Sequence, residues 1–231
     1  KKTSPFTKSL YFPSTFFIST CEGPIFIGPG AHIMAGALIK GPVAVCMNST
    51  IRMGAKIYGG TTAGPFCKLG GEVSTAIFQS YSNKAHDGYI GNSLIGEWVN
   101  IGADTNNSDL KNNYGSVKVT VNGELVDSGK LFLGLMIGDH SKSAINTMFN
   151  TGSTIGVSSN IFGAGFPPKY LPSFSWGGAE AITSYDLERA IETAKRVMSR
   201  RNVEMTDIDE RLFRKIYDLT REERRKRGMP Y

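Results

Sequence analysis

The chain is poor in the residues that staple or metallate small proteins. Cysteine occurs three times in 231 residues, as Cys21, Cys46 and Cys67. An odd number without CxxC spacing argues against a disulfide frame or a zinc site, and no metal is expected. Histidine is equally scarce: His32, His86 and His140. No apolar run approaches the roughly 18 residues that a membrane span needs. The opening KKTSPFTKSLYFPSTFFIST is broken by Ser, Thr and Pro, so neither a span nor a signal peptide is expected. A hydrophobic content of 40% and a mean hydropathy of −0.17 suit a soluble globular chain, expected in the cytoplasm. Charge is thin over most of the length, because residues 184–231 hold 13 of the 26 Lys and Arg and 10 of the 20 Asp and Glu.

What the chain does have is a period of six. Ile27, Ile33, Ile39, Val45, Ile51 and Ile57 are each followed four places later by a small or short residue: Ala31, Ala37, Val43, Ser49, Ala55 and Thr61. A period of six fits neither a helical face nor simple strand alternation, and short internal periods mark solenoids. One aliphatic and one small inward residue per short strand, with Gly or Pro near the corners, describe a three-sided parallel β-helix. The period reappears at Ile137, Ser143, Phe149, Ile155 and Ile161. A third stretch, Ile77, Asn83, Tyr89, Ile95 and Ile101, is offset from the first, so an interruption is expected near residues 69–77. Glycines such as Gly28 and Gly30 are then coil corners and not a dinucleotide fingerprint, since no crossover helix follows.

The expected organisation is a cap over residues 1–24, a β-helix over 25–166 with an inserted loop at about 107–135, an extended strap over 167–183 and a helical tail over 184–231. In the strap, Tyr170, Phe174 and Trp176 are expected to cover the solenoid end or a neighbouring subunit. In the tail, Ser184 is a candidate N-cap, followed by Leu187, Ile191, Ala194, Val197 and Met198 at helical spacing. Ile208, Leu212, Ile216 and Leu219 are expected to form the inner face of a second helix. The run REERRKRG at 221–228 reads as a solvated helix end and not as a nucleic-acid patch, because acids interleave the arginines and no stacking aromatics accompany them.

Chemistry is expected where the repeat breaks its own rules, in residues 70–115. The segment SNKAHDGYIGNSLIGEWVNIGADT resembles the acetyltransferase part of the bifunctional N-acetylglucosamine-1-phosphate uridyltransferase and glucosamine-1-phosphate acetyltransferase family. The resemblance continues through FLGLMIGDHSKSAINTMFNTGSTIGVSSNIFGAGFPPKYLPSFSWGG and covers most of the chain. It implies a left-handed hexapeptide β-helix and a homotrimer, with acetyl-CoA as co-substrate and an amino-sugar 1-phosphate as acceptor. No nucleic-acid or membrane partner is implied.

Site residues follow from the same resemblance. His86, in the pattern that continues with Tyr89, Ile90 and Gly91, corresponds to the general base, and Tyr89 to a sugar contact. In VNIGA, Asn100 corresponds to a residue near the sugar amine and Ala103 to one whose backbone faces the thioester. Glu72 matches a residue that orients the histidine, Lys56 falls at a phosphate-gripping position, and Asn113 with Tyr114 resemble a pair flanking the cofactor. A histidine with an ordinary pKa near 6.5 is suited to take a proton from an amine. His140 is a second candidate, whereas His32 sits at a plain corner.

The chain also departs from the family. Ser74 stands where a second phosphate-binding lysine is expected, Asp104 replaces a glycine beside the acyl site, and the Gly-rich signature of the nucleotidyltransferase domain is absent, which allows for a missing amino-terminal domain. Two functions therefore remain open: an acyl-CoA-dependent N-acetyltransferase, or a noncatalytic trimerisation or regulatory module of a sugar-1-phosphate nucleotidyltransferase.

Overall fold

Six-residue sides, three to a coil, leave each face only two or three residues to pair with the coil above, so the strands are short and the ladders run along the prism. The computed structural model describes residues 16–229, and these form a three-sided parallel β-helix. Face one stacks Phe17–Ser19, Leu38–Lys40, Lys56–Ile57, Glu72–Ser74 and Tyr89–Gly91. Face two is an unbroken parallel ladder of eight strands from Ile25–Ile27 to Tyr170–Leu171. Face three runs from His32–Ile33 through Thr50–Ile51, Lys68–Leu69 and Asn83–Lys84. The single bridge residue Asn100 then carries it to Lys142–Ser143, Asn160–Ile161 and Ser175–Gly177.

The inward columns are the aliphatics of the repeat. Ile33, Ile51, Leu69, Ile101 and Ile161 are almost fully buried on face three, as are Val45, Phe78, Ile95, Ile137 and Ile155 on face two. The third repeat register holds at Ile95 and Ile101 and is corrected at its first three positions. Ile77 is 49% exposed and Asn83 and Tyr89 are only partly covered, while Phe78, Lys84 and Ile90 point inward at 1%, 0% and 0%. Two shortened sides, from Leu69 to Val73 and from Val73 to Phe78, shift the phase by one residue more than the expected offset.

One corner carries an aromatic ladder. Phe66, Tyr81, Trp98, His140 and Phe174 all adopt left-handed backbone, with φ between 59° and 62°. This is an unfavourable region for bulky residues. Stacking offsets the strain: ring centroids lie 4.7 Å apart for Phe66–Tyr81 and 4.0 Å for Tyr81–Trp98.

Residues 108–133 leave the prism between Asn106–Asn107 and Met136–Ile137 and carry the antiparallel hairpin Lys118–Val121 and Glu124–Asp127. On face one, Asn106 and Asn107 replace backbone pairing with side chains. Asn106 accepts from the Tyr89 amide, while Asn107 accepts from the Gly91 amide and donates to the Gly91 carbonyl.

The remaining segments differ from expectation in informative ways. Most of the residue 1–24 cap lies outside the described residues, and its visible strand Phe17–Ser19 belongs to face one. The segment 167–183 adds strands to faces two and three and does not simply drape as a strap. Leu171 and Ser175 serve as the aliphatic and small residues of a further coil, with Phe174 wholly buried at its corner. Ile182–Ser184 then turns back antiparallel on Ser175–Gly177.

Helix α1, Leu187–Ser199, is capped by Asp186 and not by Ser184; the Asp186 side chain accepts from the Arg189 amide. Helix α2, Asp207–Leu219, begins with a capping box between Thr206 and Asp209. Its inner face is Phe213, with Ile216 and Tyr217 partly buried, while Ile208, Leu212 and Leu219 are exposed, a rotation of the expected face. The cause is tertiary: Phe213 meets His140 and Phe174 edge-on, at 4.9 and 6.2 Å between ring centroids. In α3, Arg221–Lys226, Arg224 is fully buried, so the basic run is not wholly solvated. Its guanidinium donates to Tyr217 and Ser173 carbonyls and lies 3.9 Å from the Tyr217 ring.

Candidate functional site

The corner between faces three and one brings the predicted base to the surface. His86 follows Asn83–Lys84 and precedes Tyr89–Gly91, and its side chain is exposed. The coils above and below pass at backbone contact. Gly71 has φ +67°, and a Cβ there would lie 2.7 Å from the Gly88 carbonyl; a Cβ on Gly102 would lie 2.2 Å from the Ala144 carbonyl. Asp104, at φ +53°, occupies the left-handed corner position where glycine carries no steric cost. Asp is one of the side chains that tolerates it better than most.

Beneath this corner the corner loop is held from inside. Lys84 occupies an aliphatic slot of the face-three column with no exposed surface, and its ammonium donates to the carbonyls of His86 at 2.6 Å and Asp87 at 3.0 Å. Burial pulls its pKa down to about 8, opposed by the charges of Asp87 and Asp104.

A groove of about 600 Å³ opens along face three from His86. Its floor is the outward row Lys68, Asn83, Asn100 and Lys142, successive partners in the ladder. Gly102, Ala103 and Ala144 form one side, and Val197, Arg200 and Arg201 at the end of α1 form the other. Arg201 donates to Asn83 Oδ1 at 2.9 Å, tying the tail to a coil 118 residues away. Burial lowers the Lys68 pKa, with Arg201, Arg52 and Arg200 adding to the shift. Burial alone brings Lys142 down to about 8. His86, Asn100 and Ala103, three of the sequence-expected site residues, thus share one groove.

The other expected residues are elsewhere. Lys56, Glu72 and Tyr89 are successive outward residues of face one. Lys56 Nζ lies 3.7 Å from Glu72 in a largely exposed pair, and Glu72 has no hydrogen bond to His86 among the described residues. The Tyr89 hydroxyl donates to Asp109 at 2.9 Å; burial, then that carboxylate, raises its pKa. Asn113 and Tyr114 lie on the insertion, both exposed, and neither lines the groove. His140 is not at the groove either. It is buried in the aromatic ladder, and burial followed by the Lys142 charge lowers its pKa to about 3, which keeps it a neutral packing group. Cys67 is inside the prism, its thiol pushed up to about 12 by burial, which rules it out as a nucleophile.

Sequence reading missed Lys68, Lys142, Arg200 and Arg201. The first two had a signal, since each immediately precedes an inward repeat residue and must therefore point outward. Nothing in the sequence brings the two arginines to that row.

Fold and site together define a hexapeptide-repeat β-helix with a histidine-flanked groove on one face. No family model matches the chain. Its curated relatives are bifunctional nucleotidyltransferase–acetyltransferases, the family that the sequence resembles. It is 36% identical over 91 residues to the bifunctional sugar-1-phosphate nucleotidylyltransferase/acetyltransferase of Sulfurisphaera tokodaii, covering 39% of this chain and 23% of that protein. The bifunctional protein GlmU of Methanocaldococcus jannaschii is 27% identical over 176 residues, 76% of this chain and 34% of that one. The chain thus spans about a quarter to a third of these relatives. Among solved structures, the polySia-specific acetyltransferase NeuO covers 75% of this chain and 94% of its own at 11% identity and a TM-score of 0.43. The UDP-N-acetylglucosamine acyltransferase of Campylobacter jejuni covers 86% and 93% at 12% identity and a TM-score of 0.31. Among the described residues no helix is long and apolar enough to cross a membrane.

Proposed function

We propose that this chain is an acyltransferase of nucleotide-sugar synthesis that moves an acetyl group from acetyl-CoA to the amine of an amino-sugar 1-phosphate. The observation that carries the reading is the convergence of His86, Asn100 and Ala103 on one cation-rich groove. In this reading the amine nitrogen bonds to the thioester carbonyl carbon and the carbon–sulfur bond breaks. His86 accepts the proton shed by the nitrogen and passes it to the departing thiolate, so that amide and thiol are the products. Asn100 orients the amine and the acyl oxygen, and the backbone at Ala103 faces the thioester. Tyr89 and Lys56 supply sugar and phosphate contacts around the corner, and Glu72 holds Lys56. Asn113 and Tyr114 belong to the same proposal only if the insertion of a second copy meets this groove, as a homotrimer would allow.

The noncatalytic module remains a second reading. It is favoured by the pairing of Glu72 with Lys56 in place of His86 and by Asp104 in the hollow beside the base. The two readings part on one assay: thiol release from acetyl-CoA with glucosamine 1-phosphate and other amino-sugar phosphates, comparing the chain with His86→Ala. Turnover abolished by the substitution supports the transferase. No turnover with any acceptor supports the module.

A further inference from the structure

The groove on face three has an electrostatic property that nothing in the repeat requires. Lys68, Lys142, Arg200 and Arg201 all line it, and no acidic side chain does. Several tail cations outside the groove are matched by acids: Arg214 pairs with Glu188 and Glu210, Lys195 with Glu210, and Arg225 with Glu222. Among the described residues, none of the four groove cations has a carboxylate partner. Lys142 donates to the His140 carbonyl and Arg201 to the Asn83 amide oxygen. Like charges gathered in one groove repel, and an anion in the space between them would relieve that cost. The repulsion is registered at Lys68, where Arg201, Arg52 and Arg200 each disfavour the charged form.

Two independent elements build the cluster. Lys68 and Lys142 stand in the rigid ladder of the prism, while Arg200 and Arg201 arrive on the end of α1, fixed by the Arg201–Asn83 bond. Arginine forks recognise phosphate oxygens two at a time, and lysine supplies a point charge.

We infer that Lys68, Arg200 and Arg201 form a subsite for a phosphoryl or pyrophosphoryl group, and that the helical tail serves to complete it. This extends the transferase reading and rests on it for the ligand's identity, whereas the charge of the ligand follows from the geometry. Two sources carry such a group in the proposed reaction: the phosphates of coenzyme A and the phosphate of the amino sugar.

Isothermal titration of the whole chain with pyrophosphate, coenzyme A and glucosamine 1-phosphate, each at two salt concentrations, tests the inference. The variants are Arg200→Gln/Arg201→Gln, Arg200→Lys/Arg201→Lys and Lys68→Gln. Loss of a charge-assisted contact is expected to weaken pyrophosphate binding about tenfold or more in both Gln variants. The Lys/Lys variant should keep most of the affinity, and added salt should mimic the Gln substitutions. The physiological ligand that suffers the same loss identifies the source. Should the double Gln variant fail to fold, Lys68→Gln decides by itself. The inference is overturned if the wild-type chain binds none of the three, or if the Gln variants bind all of them as the wild type does. Selective loss of binding in a chain without turnover upholds the subsite and sinks the transferase reading; turnover with unchanged binding in the variants does the reverse.

Discussion

Lys84 Nζ lies 2.6 Å from the carbonyl oxygen of His86 and reaches it from inside the prism, out of a slot that the neighbouring coils fill with Leu69 and Ile101. A charge in an aliphatic column is costly unless its hydrogen bonds are met. Here the bonds are spent on the two carbonyls of the corner that presents His86. Replacing Lys84 with Met, of similar volume, restores the aliphatic column, so thermal stability is expected to hold or rise. The corner, however, loses its internal tie. Under the transferase reading, thiol release should drop severalfold with an unchanged far-ultraviolet spectrum. A variant that unfolds, or one as active as wild type, contradicts this.

His140 makes stability depend on acid. Its folded pKa of about 3 lies below the unfolded value of 6.5, so between these limits the unfolded chain binds more protons. The stability is therefore complete above pH 6.5 and declines as pH falls toward 3, by up to about 5 kcal/mol from this group. Lys142, Asp209, Trp98 and Phe213 surround the ring, and of these Asp209 opposes the shift. His140→Phe keeps a ring in the ladder and should flatten this part of the urea-unfolding profile between pH 4 and 6.5. An unchanged slope would show that the carboxylates alone set it.

Arg224 anchors the tail. Buried with bonds to the Thr220 hydroxyl and the Tyr217 and Ser173 carbonyls, it is enclosed by the rings of Tyr217 and Phe174. Arg224→Ala leaves a cavity and unmatched carbonyls, an expected loss of about 2–4 kcal/mol in denaturant unfolding. Arg225→Ala, whose partner Glu222 is likewise exposed, should cost under about 1 kcal/mol.

Asn107 holds together two coils where the insertion departs. Its amide exchanges two hydrogen bonds with Gly91, as a backbone would. Asn107→Leu matches the aliphatic repeat by sequence but strands the Gly91 amide and carbonyl. A loss of about 2–4 kcal/mol is expected, with hydrogen exchange rising at Gly91. A stabilised Leu variant would mean that the repeat's preference for aliphatics outweighs this pairing.

The chain by itself determined the class of fold, because a six-residue period with one aliphatic and one small residue has few other solutions, and it marked His86, Asn100 and Ala103 by motif. Local signals also announced a helical tail. They erred where distant residues decide: the inward register at Phe78, Lys84 and Ile90, set by two short sides; the buried face of α2, set by His140 and Phe174; and the further coil within 167–183. Tertiary structure alone carried Arg200 and Arg201 onto the row of Lys68 and Lys142 and separated Glu72 from His86 across a corner. A period records which way a side chain points within its own coil, whereas a groove depends on what packs over that coil from elsewhere in the chain.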